Sequence, residues 1–432
     1  MLTSLYTGIS GMNANSTALA VVGDNIANLN TVGFKDARVS FGDVLSQSIT
    51  GGSGSSQVGR GVIVNKVKPD FTQGSFESTG NGLDLAVDGD GFFIVRSGAA
   101  SFYTRAGQFS LDKFGNVVNV DGYSLQGFQT DSTGKVTGTT GDITFSGSQS
   151  QANATGSATV NVNLNATDTA ETDPFDLDSN GDGILDDPVN YTESTTIRVY
   201  DSLGASHDVT MYFCKTGDQA WTTHYVYEDP VNQGELLESS VTQDLTFLTD
   251  GSLDEDNSST TQIAFDFDGD GTEEQNITFN FGTGVSELGT GFDGTTQFAA
   301  PFSVQKLVQD GYGAGMVSNI AIAEDGTISA SFTNGQSRVV GKVALARFMD
   351  PSSLNKMGRN LYNETYESGQ PVVADPTTSG TGRVLSNTLE LSNVDLAKEF
   401  VKLISAQRAF QANSRIITTT DALMQELVNL IR

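Results

Sequence analysis

The chain has 432 residues, with 23 Lys and Arg against 52 Asp and Glu and a formal net charge of −29. That balance excludes a phosphate-tracking nucleic-acid binder and a polybasic membrane-surface protein, and no run of about 18 apolar residues is present to span a bilayer. Its 48 glycines against 8 prolines favour turn-rich β structure, spread at this length over roughly two to four domains.

The opening MLTSLYTGIS has no basic n-region, no continuous apolar h-region and no cleavage signature, so no cleavable secretory signal is expected. Leu5, Met12, Leu19 and Ile26 then recur every seven residues, with Leu2 and Ile9 at interleaved positions, which is the spacing of a coiled-coil type seam. Gly8 and Gly11 each cost such a helix about 1 kcal/mol relative to alanine, and Asn13 and Asn15 add to that. A helix this poor needs a partner to bury its seam. Asn and Gly residues in the following NIANLNTVGFK, Asn25 to Lys35, can end the helix in left-handed backbone angles. Residues 41–75, including GGSGSSQVGRG, read as a glycine-rich connector.

Residues 83–128 alternate β-branched and aromatic side chains between Asp-Gly and Phe-Gly-Asn turns, a set of short antiparallel strands. The next segment, 151–300, holds 28 acids but only two bases, Arg198 and Lys215, so nearly all of the net charge lies there. A neutral remainder flanking an acidic middle suggests that the ends associate while the middle faces water. Within it, Asp178, Asn180, Asp182 and Asp186 around Gly183, and Asp266, Asp268, Asp270 and Glu274 around Gly271, have the alternating-oxygen spacing of a calcium loop. Chance Asp-Gly turns in an acidic chain give the same spacing, and no cofactor other than calcium is expected. His207 and His224 stand beside no nucleophile motif, so catalysis is not expected. The lone Cys214 cannot form an internal disulfide and reads as a buried strand residue.

A second set of strands follows the acidic segment, beginning GYGAGMVSNIAIAEDGTISASF. The C-terminus then carries the stronger heptad, Leu403, Phe410, Ile417, Met424 and Ile431 at one position and Ala406, Asn413, Thr420 and Leu427 at the other. Ser392, with Asp395 three residues on, offers an N-cap. A helix over 394–431 would be about 57 Å long. From periodicity alone, two ordinary core helices account for both ends equally well.

NIANLNTVGFK closely resembles the motif after the first helix in the rod and hook family of bacterial flagellar axial proteins. SNVDLAKEFVKLISAQRAFQANSRIITTTDALMQELVNL resembles that family's terminal helix, and TTIRVYDSLGASHDVTMYFCKTGDQAWTTHYVY resembles the central domain of its hook-type members. The resemblance implies a multidomain α+β chain, with paired long terminal helices of coiled-coil type, a mainly antiparallel β body and an outer β domain. Its parts would be a terminal helical assembly domain (1–40 with 388–432), the connector, a body (76–150 with 300–387) and an acidic outer domain (151–299). It also implies a structural, non-enzymatic subunit that polymerises with itself and meets rod, hook-cap and hook–filament junction proteins. Such a subunit would be carried outside the cell by the flagellar export apparatus, with no nucleic-acid or membrane partner. Asn28, Thr31, Gly33 and Phe34 of the motif join the two heptad seams as the assembly residues so implied. A distal rod subunit is the near alternative; a calcium-dependent adhesin would share the Asp loops but leaves the terminal helices unexplained.

Overall fold

The computed structural model describes residues 2–45, 59–131, 134–145, 149–179, 181, 183–232, 234–255, 261–269 and 275–430. Two units divide the chain: one takes Met1–Ser148, Ser318–Ser331 and Ser337–Arg432, the other Gln149–Val317 with Phe332–Gln336. No helix among the described residues is long and apolar enough to cross a membrane.

The first unit contains both helices, α1 (Leu2–Ala27) and α2 (Leu396–Leu430). They run antiparallel, Gly8 lying beside Ile417 and Asn25 beside Glu399. At 1.5 Å per residue, the 35 residues of α2 span about 52 Å. Its cap is Asp395 rather than Ser392: the Asp395 carboxylate accepts from the amides of Ala397 and Lys398, satisfying two of the first-turn donors. Those bonds hold the Asp395 carboxyl below the usual carboxylate range.

Where the sequence suggests a loose connector, a hairpin forms on either side of the undescribed residues 46–58. Strand β1 (Ala37–Leu45) pairs antiparallel with β2 (Gly59–Pro69), Ala37 opposite Pro69. The hairpin is held to α1 by the Ser10 hydroxyl, which accepts from the Val62 amide. Valines and an isoleucine in GRGVIVNKV supply the β-prone residues that carry the pairing.

The body of this unit is a sheet in which strands from before and after the acidic segment interleave. Its antiparallel order is Thr327–Phe332, Ser337–Val343, Ser124–Thr130, Phe92–Ser97, Ala100–Thr104, Leu361–Asn363 and Asn355–Gly358. Over it packs an aromatic core in which Phe92 meets Phe71, Phe348 and Tyr362 edge-on, with centroids 5.1–6.2 Å apart.

The second unit is built from two sheets sharing one apolar core, in which Trp221, Tyr225, Phe213, Phe265, Phe279 and Phe281 are buried. One sheet is an antiparallel meander through Glu193–Tyr200, Ser206–Gly217 and Ala220–Glu228. The other departs from the antiparallel expectation: its strand Ser157–Asn165 pairs parallel with Gln275–Asn280 and Thr296–Phe298, and antiparallel with Ser303–Gln309. Every second residue of Ser157–Asn165 from Ala158 on, namely Ala158, Val160, Val162 and Leu164, is wholly buried, as the two-residue period of a strand demands.

Candidate assembly site

The helix pair is closed through small side chains. On α1 the inward stripe is Gly8, Gly11, Ala14, Ala18, Val22 and Asn25, of which Ala14, Val22 and Asn25 are at most 6% exposed. A Cβ at Gly8 would stand 3.1 Å from Ile417 Cγ1, and one at Gly11 2.8 Å from Asn413 Nδ2. These glycines are therefore the recesses that admit the larger side chains of α2, which offsets the propensity they forfeit.

The expected seam of α1 is not the face it turns to α2. Leu5, Met12, Leu19 and Ile26 are only partly buried, on a stripe rotated by about 65–125° from the centre of the inward face, counting ~100° per residue. On α2 the expected seam does turn inward: Leu403, Ala406, Phe410, Asn413, Ile417 and Thr420 are its less exposed residues. Met424, one turn further on, is exposed; the Leu427 side chain and Ile431 lie outside the described residues. Bulky residues on one helix and recesses on the other fit at short range, whereas two bulky seams would hold the axes apart. Tyr6 and Ile9 of α1 and Phe400, Val401, Ile404 and Leu423 of α2 are exposed, while Ile416, also partly open, lies at the edge of the contact beside Gly8.

The motif after α1 works inside the chain. Asn28 donates to the Asp24 carbonyl, and the Thr31 hydroxyl donates to Asn28 Oδ1, so the two side chains end the helix. Gly33 has φ +69, donates its amide to the Glu390 carbonyl, and would place a Cβ 2.5 Å from the Ala106 backbone nitrogen. Phe34 is 1% exposed, under the Lys356 ammonium at 4.4 Å from its ring centre. Three of these residues line a cavity of about 460 Å³ with Asp24, Val120 and Arg359.

Sequence reasoning missed the polar junction at which both helices meet the body. Asn25, buried on α1, accepts from the Ala37 amide, donates to the Ala37 carbonyl and donates to Glu399 of α2 at 3.2 Å. Asn393 accepts from the Asp36 amide and donates to the Asp70 carbonyl. Burial, then the neighbouring Asp70, pushes the Asp36 carboxyl up from its ordinary value. Deepest lies Glu390, whose Oε1 accepts from Lys35 Nζ at 2.6 Å and the Gly74 amide at 2.9 Å, and whose Oε2 faces Arg105 Nη1 at 3.4 Å. All three of these side chains are at most 4% exposed. Desolvation lowers the affinity of both Lys35 and Arg105 for their protons, and Glu390 works against it. The signal in the sequence was slight: a lysine ending the motif, and a glutamate six residues before the last helix.

In the second unit, the Asp178 carboxylate accepts from the amides of Gly181 and Gly183, and Asp266 from Gly269, so both serve their own turns. Asp186 and Asp268 lie in the same two loops, while Asn180, Asp182, Asp270 and Glu274 lie outside the described residues. Among the described residues no group of three or more His, Cys, Asp or Glu side chains is placed to hold a metal. His207 stacks on Phe267 beside Asp201, and His224 on Phe175 beside Glu238. Cys214 is 5% exposed, and burial pushes its thiol up to about 12.

Family models match the segments that build this site. Residues 5–35 match the flagella basal body rod protein model, and 385–430 the C-terminal region of the flagellar basal body rod FlgEFG proteins. Between them, 86–169 match the flagellar hook protein FlgE/F/G D1 domain and 163–312 the flagellar basal body protein FlaE D2 domain. The chain is similar to the flagellar hook protein FlgE of Borreliella burgdorferi, 36% identical over 461 residues and 100% of both chains. It is likewise similar to that of Escherichia coli, 34% identical over 430 residues and 98% of each chain. The Salmonella typhimurium protein is 33% identical over 433 residues, covering 99% of this chain and 100% of that one. Similarity thus runs through both helices, the junction that joins them and the acidic segment between, and the chain belongs to the flagellar hook protein FlgE family.

Proposed function

We propose that the chain is the structural subunit of a bacterial flagellar hook, polymerising through its terminal helices into a curved, flexible tube that transmits torque from rod to filament. The observation that carries this reading is the helix pair: closed inwardly by the glycines of α1, it leaves Tyr6, Ile9, Phe400, Val401, Ile404 and Leu423 exposed. Apolar side chains lined along two long helices call for further helices, and copies of the same chain supply them through contacts that repeat without closing. The half-buried stripe of Leu5, Met12, Leu19 and Ile26 is the coiled-coil type surface left for such a neighbour. The acidic residues 151–300 face solvent in this arrangement, since like-charged surfaces resist close packing.

The role is mechanical rather than catalytic. Rod, hook-cap and hook–filament junction proteins are the further partners, and the flagellar export apparatus delivers the subunit outside the cell. The reading needs no bound cation, because Asp178 and Asp266 already cap their own turns. A rod subunit is the second reading, favoured by the rod-protein models that match both ends; the match of 163–312 to a D2 domain weighs toward the hook. Negative-stain microscopy of polymerised full-length chain tests both: a short curved tube is expected, a straight one would make it a rod protein, and no tube would remove both readings.

A further inference from the structure

The Glu390 carboxylate joins the segments that enter or leave the helix pair to the body. Lys35 follows α1, Gly74 follows the β1–β2 hairpin, Arg105 belongs to the body, and Glu390 itself precedes α2; its carboxylate bonds to all three others. The cations extend the reach: Lys35 donates to the Thr72 carbonyl at 2.7 Å, and Arg105 to the carbonyls of Val87 and Gly89 at 3.3 and 2.8 Å. The Gly33 amide closes the group on the Glu390 carbonyl at 2.8 Å.

Stability does not account for such a cluster. Three charges at this depth must be stripped of water, and apolar side chains of similar size fill such a space as well or better. What apolar packing lacks is direction. A carboxylate with a tetrahedral ammonium on one oxygen and a planar guanidinium facing the other tolerates few arrangements of the chains that carry them. The aromatic core beside it, Phe71, Phe92 and Tyr362, would permit sliding that the ions forbid.

We infer that Glu390, with Lys35 and Arg105, is a positioning residue for assembly: a buried pin that fixes the direction in which both terminal helices leave the body. This rests on the reading of those helices as assembly elements, and it deepens that reading by naming what aims them. Without the pin the subunit folds, but its helices sample a range of directions, and a tube that repeats one geometry at every subunit cannot be built from it.

The test is made on the full-length monomer, so that a failure of the hook reading does not decide it. In a Cys214→Ser background, spin labels at Ser16→Cys on α1 and Lys113→Cys on the body report the distance between helix and body. The parent is expected to give one narrow distribution. Lys35→Met, Arg105→Met and Glu390→Leu together are expected to leave the melting temperature equal or higher while the distribution broadens or splits. Glu390→Gln, which turns an amide donor toward Arg105, is expected to broaden it with a lowered melting temperature. A distribution in the triple variant as narrow and as centred as the parent's would overturn the proposal. Loss of the fold in both variants would also overturn it, since the cluster would then serve stability.

Discussion

At the scale of single residues, two glycines of left-handed conformation separate backbone strain from steric exclusion. Gly33 (φ +69) abuts the backbone of Arg105 and Ala106, whereas Gly98 (φ +59) has nothing within 4 Å of where a Cβ would stand. Gly98→Ala is expected to cost about 1 kcal/mol, the left-handed penalty less the entropy it removes from the unfolded chain. Gly33→Ala adds a clash with main chain that cannot move aside, and should cost about 3 kcal/mol or more; urea titration of the two variants reads the difference. Cys214 supplies a second expectation. Its thiol ordinarily ionises at 9.0, and burial moves this up to about 12. The folded chain therefore keeps a proton that the unfolded chain releases, so stability is unaffected below 9 and falls by about 1.4 kcal/mol per pH unit above it, until the folded thiol ionises too. Alkylation at pH 8 should accordingly fail in the native state and proceed in urea; rapid native labelling would contradict the burial.

Among the elements, the two helices were unequally legible. The heptad of α2 could be read directly, because Leu403, Phe410 and Ile417 are bulky and turn inward. The face that α1 turns to α2 went unread because it consists largely of glycine and alanine, and small residues leave no hydrophobic period to count. The junction was illegible for another reason: Lys35 and Glu390 stand 355 residues apart, and nothing local marks either as buried. Strands and turns of the body were readable from alternation, while the hairpin β1–β2 hid behind glycine-rich composition. Gly8→Leu tests the helix contact. Its side chain would enter the space of Ile417 and Asn413, separating the helices at about 1–3 kcal/mol, and chymotrypsin should then cut within α1 and α2 while the core around Trp221 stays protected. Asn25→Ala would leave both backbone groups of Ala37 without their partners in a partly buried site, an expected loss of about 1–3 kcal/mol in chemical denaturation.

For the whole molecule, charge is the property that assembly must accommodate. Every copy carries −29, almost all of it within 151–300, so crowding copies together raises their mutual repulsion. Salt screens that repulsion, with a Debye length shrinking from about 30 Å at 0.01 M to about 10 Å at 0.1 M. The concentration needed for polymerisation should therefore fall as sodium chloride rises over that range, measured by sedimentation at each salt; an increase would mean that ion pairs between copies, rather than apolar helix faces, hold the polymer. The interleaved body has a consequence of a different kind, one of timing. The second unit is drawn almost entirely from one continuous stretch, Gln149–Val317, but the first needs residues on both sides of it. A growing chain can close the second unit early, while α1 waits for α2 until nearly all the remaining residues have been made. The surface that would recruit other copies is thus the last to exist, and a chain cut short anywhere before the final helix carries an α1 whose glycine face has nothing of its own to close upon.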